Sequence, residues 1–133
     1  LTLNKSKTTP LIDFNPFSGK LLIEGISIPE NAEEFFNPIL EWLDEYYEYI
    51  EQSQQETTLI IKLQYFNVTS SKQLLFIFYK LNEFAFQKKP IKVEWLYSSD
   101  KDGMYEVGQD FAFMINIPFS FIEYNPYVEH VSE

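Results

Sequence analysis

The chain has 133 residues, 45% hydrophobic and 18% aromatic, which supports one folded domain over residues 1–133 and excludes a disordered chain. The absence of cysteine excludes disulfides, thiolate metal sites and a cysteine nucleophile. The 20 acidic residues outnumber the 10 basic ones, all of them lysine, and the formal net charge is -10. A chain without arginine cannot form bidentate contacts to phosphate, and its net negative charge opposes binding to a phosphate backbone, so we expect no nucleic-acid partner.

The sequence contains no apolar segment long enough for a membrane span or a signal peptide. The longest apolar run extends from Leu74 to Tyr79, whereas a spanning helix needs roughly 20 residues. Residues 1–7 are polar and lack periodicity, which predicts a loose lead-in. We therefore expect no membrane association and a cytoplasmic location.

A β-hairpin is predicted near the start of the chain. Strand-like segments at Thr8–Phe14 and Lys20–Ile26 flank residues 15–19, where proline and glycine favour a turn. The long helix that follows, Pro29–Gln52, carries an apolar stripe and an opposite face of acidic residues that no lysine interrupts. We interpret that face as solvated surface, with docking of a basic partner as the alternative.

The rest of the chain alternates strands with helices. Thr57–Phe66 is almost continuously apolar, which predicts a strand covered on both faces. The later elements are a helix from Ser70 to about Lys88, a strand at Ile91–Tyr97, a helix at Met104–Ile115, a strand at Pro118–Tyr124 and a tail over residues 125–133. The order ββαβαβαβ predicts an α/β domain with a mixed sheet of about five strands and about three helices.

Conventional catalytic and metal-binding motifs are missing. The only histidine is His130, and the glycines are too scattered to form a phosphate-binding loop. Asp100 and Asp102 invite a calcium interpretation, but Gln109 then stands where an EF-hand loop requires glutamate, so a polar turn is favoured. We expect no catalytic residue, no metal and no cofactor, and hence a protein that is not an enzyme.

The most informative segment is Asn67–Lys72, where the long strand ends and the second helix begins. Thr69, Ser70 and Ser71 place three hydroxyls where free backbone N–H groups and the positive helix end meet. Ser70 with Gln73 forms a capping-box pattern, so capping is one interpretation. Phosphorylation is the other, because a helix N-terminus tolerates the added negative charge.

The chain resembles the SiaC family of bacterial regulatory phosphoproteins from Thr8 to about Tyr124. The segments that carry the resemblance are Pro29–Ala32, Phe35–Leu43, Leu63–Lys72 and Val93–Tyr97. The resemblance implies an anti-sigma-factor-antagonist-like, STAS-like fold and a non-catalytic switch protein. It also implies a partner kinase, a PP2C-type phosphatase, and a diguanylate cyclase that one form of the protein activates, in cyclic-di-GMP signalling and biofilm formation.

The sequence departs from the family pattern at the acceptor position. The family's acceptor threonine follows the asparagine directly, and here Val68, which has no hydroxyl, follows Asn67. Either the acceptor is a neighbouring hydroxyl, with Thr69 favoured over Ser70 and Ser71, or the protein is a constitutive acidic scaffold that binds without phosphorylation. In both cases the expected partner-binding surface comprises Asn67, Val68, Thr69, Ser70 and Lys72, with the exposed side of the second helix.

Overall fold

Parallel strands joined by helices make up most of the molecule. The computed structural model describes residues 1–99 and 103–127. The elements are β1 (Thr2–Leu3), β2 (Leu11–Asn15), β3 (Lys20–Ser27), α1 (Ala32–Tyr49), β4 (Thr57–Phe66), α2 (Val68–Phe86), β5 (Ile91–Ser98), α3 (Met104–Met114) and β6 (Phe119–Tyr124). The predicted α/β class, the hairpin and the three helices are confirmed, and the sheet has one strand more than expected.

The six strands lie in the sheet in chain order, β1-β2-β3-β4-β5-β6. β1, β2 and β3 pair antiparallel, whereas β3, β4, β5 and β6 pair parallel, with α1, α2 and α3 as the crossovers. Crossovers of one hand that all step in the same direction place their helices on the same face of a sheet. The carboxyl ends of the four parallel strands and the N-termini of the three helices therefore share one edge.

The hydrophobic core lies between the sheet and this helical layer. Alternate residues of the central strands are buried against the helices, among them Leu59, Ile61 and Leu63 of β4. The intervening Ile60 and Lys62 are only half-buried and Gln64 is exposed. The prediction that β4 is covered on both faces is therefore wrong, because all three crossovers pack on the same side.

The hairpin turn and the first helix follow from local side-chain contacts. Asn15 Oδ1 accepts hydrogen bonds from the backbone N–H groups of Phe17 and Ser18, at 2.8 and 3.2 Å, and Gly19 adopts a φ of 76°. Asn31 caps α1 by accepting from the N–H of Glu34 at 3.0 Å, so the helix begins later than predicted.

The predicted lead-in contains a short strand. Thr2 and Leu3 pair with Asp13 and Ile12, and the N-terminal ammonium donates to the Phe14 carbonyl oxygen at 2.9 Å. A pairing of two residues has no period that a sequence could reveal. Within the described residues no helix is long and apolar enough to cross a membrane.

Three residues used in the sequence analysis lie outside the described part of the chain. They are Asp100 and Asp102 of the calcium-like loop, and His130. Most of the predicted tail, from residue 128 onwards, also lies outside it.

Candidate functional site

The predicted site lies at the edge of the sheet where the parallel strands end. A single residue, Asn67, connects the last residue of β4 to the first residue of α2. The Asn67 N–H donates to the carbonyl oxygen of Ser27, the last residue of β3, at 3.1 Å. This connection holds the first turn of α2 directly against the end of β3.

Asn67 is the N-cap of α2. Its Oδ1 accepts from the N–H of Ser70 at 2.9 Å, and its backbone is extended. The predicted start of this helix at Ser70 is wrong, because α2 begins two residues earlier, at Val68. Asparagine and serine are both good caps, and asparagine takes the position here because the strand ends at Phe66.

Ser70 is fully buried, although the sequence analysis placed it on the partner-binding surface and among the acceptor candidates. Its hydroxyl donates to the Ser27 carbonyl oxygen at 3.0 Å, and the two serine Oγ atoms lie 2.8 Å apart. A hydroxyl has one proton, so the Ser27 hydroxyl donates to Ser70 Oγ. Ser70 is thus a structural contact between strand and helix, and the exposed surface does not include it.

Ser27 is a site residue that the sequence analysis missed. It is fully buried at the end of β3, and two hydrogen bonds join it to Ser70 in the first turn of α2. A serine ending an apolar strand is an available signal, but nothing in the sequence pairs it with a residue so distant along the chain.

The residues on either side of Ser70 point outward. Val68 is 85% exposed, Thr69 and Lys72 are exposed, and Ser71 is half-buried. The Thr69 hydroxyl donates to Asn67 Oδ1 at 3.2 Å. Of the three candidate acceptor residues, Thr69 is therefore the most exposed.

A β-bulge at the end of β4 shapes the same surface. The register with β3 shifts after Gly25, so Gln64 has no partner in that strand. An extra residue in one strand reverses the alternation beyond it. As a result Phe66 turns inward to contact Trp95, at 6.4 Å between ring centroids, and Tyr65 is left 57% exposed.

An apolar stripe continues from the site along the outer face of α2. Large apolar side chains at helical spacing are exposed there: Val68, Phe76 at 37%, Tyr79 at 49% and Phe86 at 77%. Lys72 follows Val68 by 4 residues in the sequence, and its Nζ lies 5.8 Å from the centroid of the Phe76 ring. We call these five residues the α2 stripe. Exposed apolar patches of this kind mark surfaces that contact other proteins.

Aromatic side chains from β5 and α3 lie at the same edge of the sheet. Tyr97 and Tyr105 are 5.0 Å apart between ring centroids. Desolvation raises the pKa of Tyr97, and the nearby carboxylates of Glu123 and Glu106 add to that rise. The raised pKa keeps Tyr97 neutral at physiological pH.

The chain is similar to one family over most of its length. The model of the SiaC family of regulatory phosphoproteins matches residues 3–124. An uncharacterized protein from Pseudomonas aeruginosa (strain UCBPP-PA14) is 26% identical over 115 residues, which is 86% of this chain and 89% of that protein.

Solved structures agree in fold. Apo-SiaC from Pseudomonas aeruginosa has a TM-score of 0.82 at 26% identity, covering 92% of this chain and 97% of that one. A chain in the crystal structure of the diguanylate cyclase SiaD in complex with its activator SiaC, also from Pseudomonas aeruginosa, has a TM-score of 0.85. The identity there is 25%, over 93% of this chain and 99% of that chain.

Proposed function

The chain belongs to the SiaC family of regulatory phosphoproteins, and on that premise we propose that it is a protein-binding switch that docks on a diguanylate cyclase. The docking surface comprises the start of α2, at Asn67, Val68 and Thr69, together with the α2 stripe. The observation that carries the proposal is the exposure of Val68 at the head of the α2 stripe, whose apolar members Phe76, Tyr79 and Phe86 are exposed as well. Burial of that stripe is the driving force that a partner's apolar surface supplies.

The known complex of a structural relative supports the choice of partner. SiaC of Pseudomonas aeruginosa is the activator of the cyclase SiaD in that complex, and its fold matches this chain over nearly all its length. The surface of this chain supports the choice of docking residues, because the α2 stripe combines several large exposed apolar residues on one helix.

Control by phosphorylation is the second part of the proposal, with Thr69 as the acceptor. A partner kinase adds the phosphoryl group and a PP2C-type phosphatase removes it. Because the kinase uses ATP, we expect both reactions to take place in the cytoplasm. The modified Oγ1 loses its proton and with it the bond to Asn67, which costs less than about 0.5 kcal/mol because this bond is exposed to solvent. The charge gains about 0.3–1 kcal/mol from the helix dipole. The fold therefore tolerates the modification.

Phosphorylation is expected to change the docking surface more than the stability of the fold. A phosphoryl group brings nearly two negative charges to the head of the α2 stripe. Lys72 lies one turn further along the helix, where it can pair with that group. This pairing draws the ammonium away from the Phe76 ring and replaces an apolar docking surface with a charged one, so we expect phosphorylation to weaken binding.

The test combines binding and mass spectrometry. Binding of the purified chain to a diguanylate cyclase from the same organism is measured by calorimetry for the unmodified protein, for Phe76→Asp and for Glu41→Lys. Glu41 is an exposed charge on α1 and serves as the control. We expect at least a tenfold loss of affinity for the Phe76 variant only, and equal loss in both variants or in neither contradicts this docking surface.

The same material tests the acceptor after incubation with the cognate kinase. We expect phosphate on Thr69 and none in Thr69→Val. Phosphate elsewhere, or none at all, contradicts the covalent part of the proposal while leaving the binding result intact.

A constitutive scaffold is the alternative, and Val68 favours it, because this position lacks the hydroxyl of the family's acceptor. Val68→Thr discriminates between the two. If the kinase modifies the new hydroxyl but not Thr69, the site is intact and only the acceptor is missing, so the natural chain binds without regulation.

A further inference from the structure

Strand β6 leaves one side of its backbone unpaired within the described residues. The carbonyl oxygens of Pro118 and Tyr124 accept from the N–H groups of Val93 and Ser99, at 2.9 and 2.7 Å. In a parallel pair the residues of each strand alternate between facing the partner strand and facing away. The even-numbered residues of β6 therefore bond to β5.

The odd-numbered residues Phe119, Phe121 and Glu123 direct their N–H and C=O groups outward. None of these groups has a hydrogen-bond partner among residues 1–99 and 103–127. An edge with such a row of free groups is a template for another strand.

The usual protections of an edge strand are missing from β6. It contains no lysine, proline or bulge, and Glu123 is its only charge. Apolar side chains flank the free edge on both sides of the sheet. Phe119 and Phe121 are only half-buried beneath the helical layer, and Ile122 is 40% exposed on the open face. On both faces of the sheet, the apolar side chains at this edge are therefore left partly exposed.

We propose that two copies of this chain associate through β6, antiparallel, about a two-fold axis at Phe121. Phe119 then lies opposite Glu123 of the partner subunit, and the two copies of Phe121 face each other. Each of these positions exchanges its free N–H and C=O groups with the opposite residue, giving about six hydrogen bonds across the interface. The two sheets become one continuous sheet.

The composition of β6 fits a second copy as the occupant. The single charge lies away from the axis, so the two Glu123 carboxylates do not face each other and each lies opposite an aromatic residue. Tyr105 of α3 extends the contact, because its ring lies 5.3 Å from that of Phe121 and is 37% exposed.

The proposed association closes at two copies. A two-fold contact uses the same edge of both molecules and leaves none for a third. The opposite edge of the sheet is β1, which has only 2 residues and is too short to propagate a filament. Pro118 and Pro126 bracket β6 and limit the paired length.

Sedimentation velocity over a range of concentrations tests the stoichiometry. We expect a monomer–dimer equilibrium with a dissociation constant of about 10–100 µM, because edge pairing gives a small interface. Each copy carries a net charge of -10, so dimerisation strengthens as salt screens the repulsion. A monomer at every concentration and salt level overturns the proposal.

Cross-linking tests the register in this naturally cysteine-free chain. Ser120 lies opposite Ile122 of the partner subunit, at a non-hydrogen-bonded pair with Cα atoms about 4.5 Å apart, within disulfide range. The single-cysteine variants Ser120→Cys and Ile122→Cys are mixed and oxidised. Each variant oxidised on its own is the matched control. Both positions are exposed, so the fold is not at risk.

We expect a disulfide-linked dimer in the mixture and at least a tenfold lower yield from either variant alone. Like positions lie about 8 Å apart in this register and cannot be bridged. A dimer without this cross-link pattern uses another surface and overturns the proposal. So does a monomer whose β6 instead binds an extended peptide of another protein.

Discussion

Removing the hydroxyl of Ser70 is expected to lower the free energy of unfolding more than removing the hydroxyl of Ser27. Ser70→Ala leaves the Ser27 hydroxyl as a buried donor with no acceptor at Ser70 Oγ, 2.8 Å away in the intact protein. An unsatisfied buried donor costs about 1–3 kcal/mol. Ser27→Ala leaves the Ser70 hydroxyl donating to the Ser27 carbonyl oxygen, so only one neutral hydrogen bond is lost, at about 0.5–1.5 kcal/mol.

The double variant is predicted to be less damaging than the sum of the two single variants. It removes both hydroxyls, so no buried donor is left without a partner. The Ser27 carbonyl oxygen keeps its bond from the Asn67 N–H at 3.1 Å. We expect a coupling free energy of about 1 kcal/mol between the two positions.

Urea denaturation followed by circular dichroism measures these free energies of unfolding. Thr69→Ala is the matched control, because its hydroxyl is exposed and we expect a change below about 0.5 kcal/mol. Substitution by aspartate is expected to distinguish Ser70 from Thr69 more strongly than substitution by alanine. Ser70→Asp buries an unpaired charge at a cost of several kcal/mol, while Thr69→Asp adds a charge at a helix start that favours it. An unchanged stability of Ser70→Ala, or additive single variants, would refute this account of the site.

Two further predictions concern packing away from the site. Gly108→Ala places a Cβ 2.6 Å from Trp95 Nε1, so α3 has to shift, and we expect a loss of about 1–3 kcal/mol in urea denaturation with a changed tryptophan emission; unchanged stability contradicts it. Lys89→Met removes the ammonium that donates to the carbonyl oxygens of Glu51 and Ser53 beyond the end of α1, and we expect a loss of about 1 kcal/mol by the same measurement. A midpoint equal to that of the unaltered protein contradicts this contact.

The sequence predicted those elements whose limits depend on local signals. The bounds of β4 are those predicted, because polar residues precede Thr57 and Asn67 follows the apolar run. The predicted start of α2 is wrong because asparagine and serine are both favoured N-cap residues, and only the position of the strand end distinguishes Asn67 from Ser70. The inward direction of the Ser70 hydroxyl depends on Ser27, which lies 43 residues away in sequence.

The open face of the sheet was not predictable from the apolar run in β4. Ile60 belongs to that run, yet it lies on the face opposite α1, α2 and α3. An alternation of buried and exposed positions is hidden when the exposed face also carries apolar residues. The side on which the helices pack is a property of the crossovers, which periodicity within one strand does not report.

The first turn of α2 separates the residues that hold the fold from the residues that face solvent. Asn67 and Ser70 bind the helix to β3 through the Ser27 carbonyl oxygen and a buried serine pair, and neither contact involves the side chain of Val68. An 85% exposed side chain contributes little burial energy, so the presence or absence of a hydroxyl at this position costs the fold almost nothing. The fold therefore tolerates either valine or threonine at position 68, and the effect of a hydroxyl there is confined to the surface.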